Sequence, residues 1–359
     1  MKNRQIWRKL SACLVGQDGA IATLMVLLLP VLIGFAGLAV DIGHMYVVKA
    51  QLKNAADAGA LAGAGGLIPY TATKQPDWTN GTLKAKDTVG VNYADNHPLS
   101  VSEASAGSEV PPLSGGPFIS QATPCYWNLN SNTTKPANAT PLTGDVPAMH
   151  VKVSKTAGQN DGPIKMFLAS VLRVLPADAS ATSLAMVSFP SGMKAGGLKP
   201  MVATKAIVDK YWGRSGNFQF KIGDGTAASD DTMWSSFQVA DNSDAYTKQL
   251  IEQGNPTPLY IGNSIHLQPG VRAVDYGPNE MGMFQGQTVV LPIVDPVTLV
   301  ADTEAPVLGF IAFHITGYSQ GGQYVEGYFD KDYVITNPQG ASSPNSDTPS
   351  TSNPPQLVY

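Results

Sequence analysis

From Ala20 to Val40 the chain reads AIATLMVLLLPVLIGFAGLAV, without one charged side chain. As a helix rising about 1.5 Å per residue, such a run covers about 30 Å, the thickness of a bilayer's hydrocarbon layer. It reads as a membrane anchor, with Leu24, Leu28, Pro30, Gly34 and Gly37 inside the span. Lys2, Arg4, Arg8 and Lys9 precede it, and short segments rich in Lys and Arg stay on the cytoplasmic side. The predicted topology is therefore single-pass, N-terminus cytoplasmic, with the chain beyond Asp41 outside the cytoplasm. The competing reading is a cleaved signal peptide, for which Gly37 and Ala39 offer small residues, but its apolar core is usually only about 7 to 15 residues. Pro30 removes one helix hydrogen bond, and Gly34 and Gly37 let a second helix approach closely.

Helical character continues past the span. Apolar residues recur at Ile42, Met45, Tyr46, Leu52, Ala55, Ala56 and Leu61 until Gly65-Gly66 and Pro69 stop the pattern. One helix is expected to begin in the membrane and project beyond it. The small residues Ala55, Ala56, Gly59 and Ala60 form a stripe suited to close packing, either on the chain's own domain or on a partner. Because the extension is longer than anchoring requires, docking to a partner is the expectation.

Three segments together carry a family pattern: GQDGAIAT from Gly16, AVDIGHMY from Ala39, and QLKNAADAGALAG from Gln51. Over about Gly16 to Gly66 the chain resembles the N-terminal module of TadG-like proteins of the Flp (Tad) pilus assembly system. The matching positions are Asp41, Gly43, Tyr46, Leu52, Asn54, Ala55, Asp57, Ala60, Leu61 and Ala62. The resemblance implies an envelope protein of a tight-adherence pilus, related in layout to pseudopilins, with pilus or secretion-channel proteins as partners. Prepilins that are processed carry Glu five residues after the cleaved Gly; here that count gives Ile21 from Gly16 and Leu24 from Gly19.

Beyond Gly66 the composition points to strands. Charged residues make up 14%, and 36 Gly and 27 Pro favour turns over long helices. The net charge is −4 and no Lys/Arg cluster comes after the N-terminal tail, which argues against nucleic acid as a partner. The expected fold is α+β: a basic tail (1–19), the membrane helix (20–40), its extension (41–66), a small α+β domain (67–189), a linker (190–200), a β-rich sandwich or barrel (201–337) and a disordered tail (338–359). In the first domain the spacing predicts a helix over Thr82 to His97, a half-buried strand around Met149, Val151 and Val153, a short helix over Pro163 to Leu172, and a strand from Ala179 to Phe189. In the second, strands are predicted over Asn217 to Ile222, Leu259 to Leu267, Thr288 to Val294 and Val307 to Tyr318. After Asn337 the Ser, Thr, Asn and Pro content leaves little apolar surface to bury, hence the disorder assignment. Cys13 and Cys125 fall on opposite sides of the membrane and cannot pair with each other; Cys125 can be buried or can join two chains, and its bulky apolar neighbours Tyr126 and Trp127 favour burial.

Three constellations could carry chemistry. Gly317-Tyr318-Ser319-Gln320-Gly321 matches the G-x-S-x-G of a nucleophile elbow, the basis of an alternative reading as an anchored serine esterase. The last histidine, His314, precedes Ser319, so no downstream base exists, and a strand-turn-strand is the better reading. Asp178-Ala179-Ser180-Ala181-Thr182 mimics the loop of a metal-dependent adhesion site, the second alternative, but the segment after Thr182 is strand-like. His44, His97, His150, His266 and His314 never fall at zinc-ligand spacing, and no phosphate-binding loop is present. No cofactor is expected. The function expected is that of a non-enzymatic anchor acting through protein contacts.

Overall fold

A computed structural model describes residues 18–68, 75–168, 175–212, 218–222, 232–268, 281–295, 303–318, 324–343 and 348–358. Helix α1 (Asp18–Gly66) runs unbroken for 49 residues, through Pro30, a length of about 74 Å. Its outer third is the spine of an α+β unit. Val48, Leu52, Ala55 with the adjacent Ala56, Ala60 and Ala64, recurring every three to four residues, are all buried on one face. Because that face is nearly all alanine and glycine, helix α2 (Trp78–Gly90) packs directly on its backbone: a Cβ on Gly81 would lie 2.9 Å from the Gly63 carbonyl. Asp77 caps α2 by accepting from the Asn80 amide at 2.9 Å.

α2 therefore starts earlier than the predicted Thr82 and ends at Gly90 instead of His97. The residues after it turn back in a tight pair, Tyr93–Ala94 against His97–Pro98, with Asp95 and Asn96 at positive φ. Helical spacing of a few apolar residues could not reveal that reversal.

The sheet beneath the helices is built from β1 (Gln121–Asn128), β2 (Thr133–Pro136), β3 (Asp145–Lys155) and β4 (Ala179–Met186). β3 is central, antiparallel to β1 on one side and β4 on the other. Met149, Val151 and Val153 face the helices, while Val146 and Ala148 join Cys125, Trp127 and Leu184 on the opposite face. The half-buried strand of the prediction is in fact buried throughout. The segment before β1 covers its polar side: Lys152 Nζ donates to the Gly115 carbonyl and Ser154 Oγ to that of Ile119 at 2.6 Å. Polar side chains that reach backbone carbonyls can be buried at little cost, so alternation did not report solvent here. The predicted helix over Pro163 to Leu172 is absent from the described part of that stretch, which is non-helical through Leu168; residues 169–174 lie outside the described residues.

The second unit consists of β5 (Met201–Thr204), α3 (Lys205–Tyr211), β6 (Phe220–Ile222), β7 (Thr232–Phe237), α4 (Asp244–Gln253), β8 (Ser264–Gln268), β9 (Thr288–Val294), β10 (Glu304–Tyr318) and β11 (Val325–Phe329). Five strands close a hydrogen-bonded ring in the order β10, β8, β7, β5, β9 and back to β10; β11 and β6 extend from the far half of β10. Among the described residues of this unit, only β5 and β9 pair in parallel. Closure leaves the ring strands without a free edge. Both strand faces are covered: Val289, Leu291 and Ile293 lie in one core cluster, Val290 and Val294 in another. This explains the continuous apolar run TVVLPIV in β9.

Two expectations about the joints are corrected. Pro190 to Pro200 is not a free linker; Met193 and Leu198 are buried, and Gly192–Met193 pairs with Leu259–Tyr260 and Pro338–Gln339. Nor is the C-terminal stretch disordered in its described residues. Gln356–Leu357 adds a strand to the edge of β4, Thr351 donates its amide to Phe310 at 2.9 Å, and Asn353 donates its amide to Ser188 at 2.9 Å. Thr351 and Asn353, both buried, belong to a segment that threads between the two units. Low apolar content excludes a hydrophobic core but not a seam held by backbone hydrogen bonds.

Candidate functional site

The candidate site is the helix α1, followed from its apolar end outward. Leu24 (59% exposed), Leu28 (44%) and the other large apolar residues up to Val40 are bare on all sides, and Pro30 and Gly34 are exposed with them. Burying one such side chain is worth about 1.5 to 3 kcal/mol, so a run of them in water would be strongly unfavourable. Leu24–Gly66 contains a window long and apolar enough to cross a membrane. Gly37 differs from its neighbours: it is buried, because the side chain of Leu168 lies against its backbone.

One turn further on, Asp41 ends the charge-free run and is 1% exposed. Its carboxylate accepts from the Phe167 amide at 2.7 Å and the Leu168 amide at 3.1 Å. His44 Nε2 lies 2.9 Å from Asp95, and its ring is 5.6 Å from that of Phe167. The connection from β3 to β4 is thus tied to the helix where the apolar run ends. Beyond it, Lys53 bridges Asp57 at 2.8 Å and donates to the Thr182 carbonyl of β4 at 3.1 Å.

The residues of the family pattern divide between two faces. Asp41, Ala55 and Ala60 point inward and are buried; Asp57 and Leu61 are half-buried; Gly43, Tyr46 and Asn54 point outward. The expected docking stripe Asn54 to Leu61 is therefore largely occupied by the chain's own domain. Small residues permit close approach without saying whose backbone approaches, and α2 with the sheet takes that place. What remains open is a different face: Ile42, Gly43, Tyr46 (70% exposed), Val47, Ala50 and Asn54. Nothing lies within 4 Å of a Cβ built on Gly43 or on Gly34. This face emerges from i, i+4 spacing once the inward face is known, but apolar periodicity alone did not single it out.

Elsewhere the candidate chemistries fare differently. Ser319 lies outside the described residues; the flanking β10 and β11 pair antiparallel, Tyr318 opposite Val325. Ser180 and Thr182 sit within β4, paired with Ser154 and Lys152, and not in a loop. Among the described residues no group of three or more His, Cys, Asp or Glu side chains could hold a metal ion. His314 Nδ1 meets Thr288 Oγ1 at 3.0 Å, and that hydroxyl donates to Asp330 at 2.9 Å. Cys125 is buried, and burial pushes its thiol up to about 12 despite a backbone hydrogen bond with His150.

No curated protein and no solved structure matches the chain. Residues 19–66, nearly the whole of α1 from the bare apolar run to the buried spine, match the family model described as Flp pilus-assembly TadE/G-like.

Proposed function

We propose that the protein is a non-enzymatic, single-pass envelope component of Flp pilus assembly that acts by protein–protein contacts. The observation that carries this reading is the continuity of α1: one helix matching the pilus-assembly family is bare over Leu24–Val40 and then becomes the buried spine of the outer α+β unit. A helix without a hinge transmits position, so the barrel is held at a set height above the bilayer. The tail segment between the units stiffens the arrangement further. Partners are envelope proteins of the pilus machine, met along the open face that includes Gly43, Tyr46 and Asn54.

The topology is tested by adding protease to spheroplasts that express the full-length chain. The chain should fractionate with the inner membrane and lose everything beyond about Gly66. Recovery of a soluble periplasmic form beginning near Val40 overturns the anchor.

A further inference from the structure

Opposite the open face of α1, the β3–β4 connection presents a second apolar surface. Ile164 and Ala177 pinch it shut at the base with two backbone hydrogen bonds, of 2.9 and 3.1 Å, and Ile164 is fully buried against the helices. Between them the chain carries Phe167 (68% exposed), Leu168 (38%) and Leu175 (82%), with Lys165 exposed beside them. Large apolar side chains left this exposed are costly in water, and the pairing of Ile164 with Ala177 holds the two flanks of the connection together.

The height of Phe167 and Leu168 on the helix is fixed by two contacts. The Phe167 and Leu168 amides bind the Asp41 carboxylate, and the Leu168 side chain lies on Gly37, inside the charge-free run. If Ala20–Val40 crosses the hydrocarbon, Phe167 and Leu168 are level with its outer boundary. Asp41 fits the same geometry: a carboxylate at the edge of hydrocarbon needs its charge satisfied locally, and two amides do so.

We propose that Phe167, Leu168 and Leu175 form a foot that inserts into the outer leaflet's headgroup and acyl boundary, beside the membrane helix. The occupant is lipid, because the surface is continuous with the apolar face of the span itself. Exposed apolar side chains with a neighbouring lysine match the chemistry of that boundary, where aromatic and aliphatic side chains sink and ammonium groups reach phosphates. The foot would act as an interfacial anchor that contributes to the tilt and rotation of the helix. The proposal rests on the reading of Leu24–Val40 as the membrane span, and the test separates the two.

Full-length protein carrying Cys13→Ser is reconstituted into vesicles of phosphatidylethanolamine and phosphatidylglycerol. Buried Cys125 stays unlabelled, as the parent without added cysteine verifies. An environment-sensitive fluorophore is attached in turn to Phe167→Cys, Leu175→Cys, Leu32→Cys in the span and Leu142→Cys on the exposed β2–β3 turn, and shallow and deep nitroxide lipids are added. Positions 167 and 175 should lose about half of their emission or more to the shallow quencher, as side chains seated roughly 5 to 10 Å into the boundary do, while position 142 is unaffected. Quenching at 32 without quenching at 167 and 175 overturns the foot and leaves the anchor standing. No quenching at 32 overturns the anchor and the foot with it.

Discussion

At the scale of single residues, two buried titratable groups make the outer unit sensitive to acid. His150 is fully buried, neither ring nitrogen has a partner, and burial together with the nearby Lys152 charge lowers its pKa to about 4. Asp145 is pushed up by burial, but hydrogen bonds from Lys135, the Leu142 amide and Asn128 outweigh this and hold it below the usual carboxylate range. For the histidine, the unfolded chain titrates near 6.5 and binds the proton that the folded chain refuses. Its contribution is intact above about pH 6.5 and is lost as pH falls toward about 4, a change on the order of 3 kcal/mol. Denaturant unfolding of the detergent-solubilised full-length chain should therefore show stability falling across that window. His150→Leu should flatten the slope; an unchanged slope would show that the histidine is not buried uncharged. Asp41→Ala, which strands two amides, should cost about 1 to 3 kcal/mol and release the β3–β4 connection, read as a lower melting temperature with new protease cleavage near Phe167.

At the scale of elements, α1 presents one face to its own domain and another to the surroundings, and substitutions on the two should fail differently. Ala56 is fully buried, and a Cβ on Gly59 would sit 2.6 Å from Val89 Cγ2 and 3.3 Å from the Ala85 carbonyl. Ala56→Leu and Gly59→Leu should each destabilise the fold by about 1 to 3 kcal/mol through overpacking. Gly43→Leu meets nothing within 4 Å and should leave the melting temperature unchanged while reducing pilus formation, if the open face is where the partner docks. Normal piliation with folded Gly43→Leu would remove that face from the docking model. Loss of piliation only in the two buried variants, with collapsed melting, would mean that this stretch serves folding alone.

At the scale of the whole molecule, the two units are joined by more than the chain connecting them. The C-terminal segment contributes amide bonds from Thr351 to Phe310, from Asn353 to Ser188 and from Val358 to Leu184, and Thr351 Oγ1 accepts from the Ala312 amide at 2.8 Å. At about 0.5 to 1.5 kcal/mol net for each, removing residues 348–359 should cost roughly 2 to 6 kcal/mol and uncouple the barrel from the α+β unit. Calorimetry of the truncated full-length chain should then resolve two transitions. A single transition at the original temperature would show that the seam does not couple the units.

The long apolar helix and its extension were legible in the sequence alone, because a charge-free run and i, i+4 spacing are local properties of a helix that need no knowledge of what surrounds it. The strand-rich character of the C-terminal part was legible for the same reason, from Gly and Pro content and from apolar runs such as β9. Which face of α1 is buried was decided by tertiary structure: Ala55, Ala56 and Ala60 suit any close neighbour, and only the fold shows that α2 and the sheet occupy the place. Ring closure was equally hidden, since β5 and β9 pair in parallel across more than eighty residues and no turn signal specifies such a partner. The C-terminal segment reads as polar and unstructured because its order comes from backbone hydrogen bonds to distant strands, an interaction that leaves no trace in side-chain hydropathy.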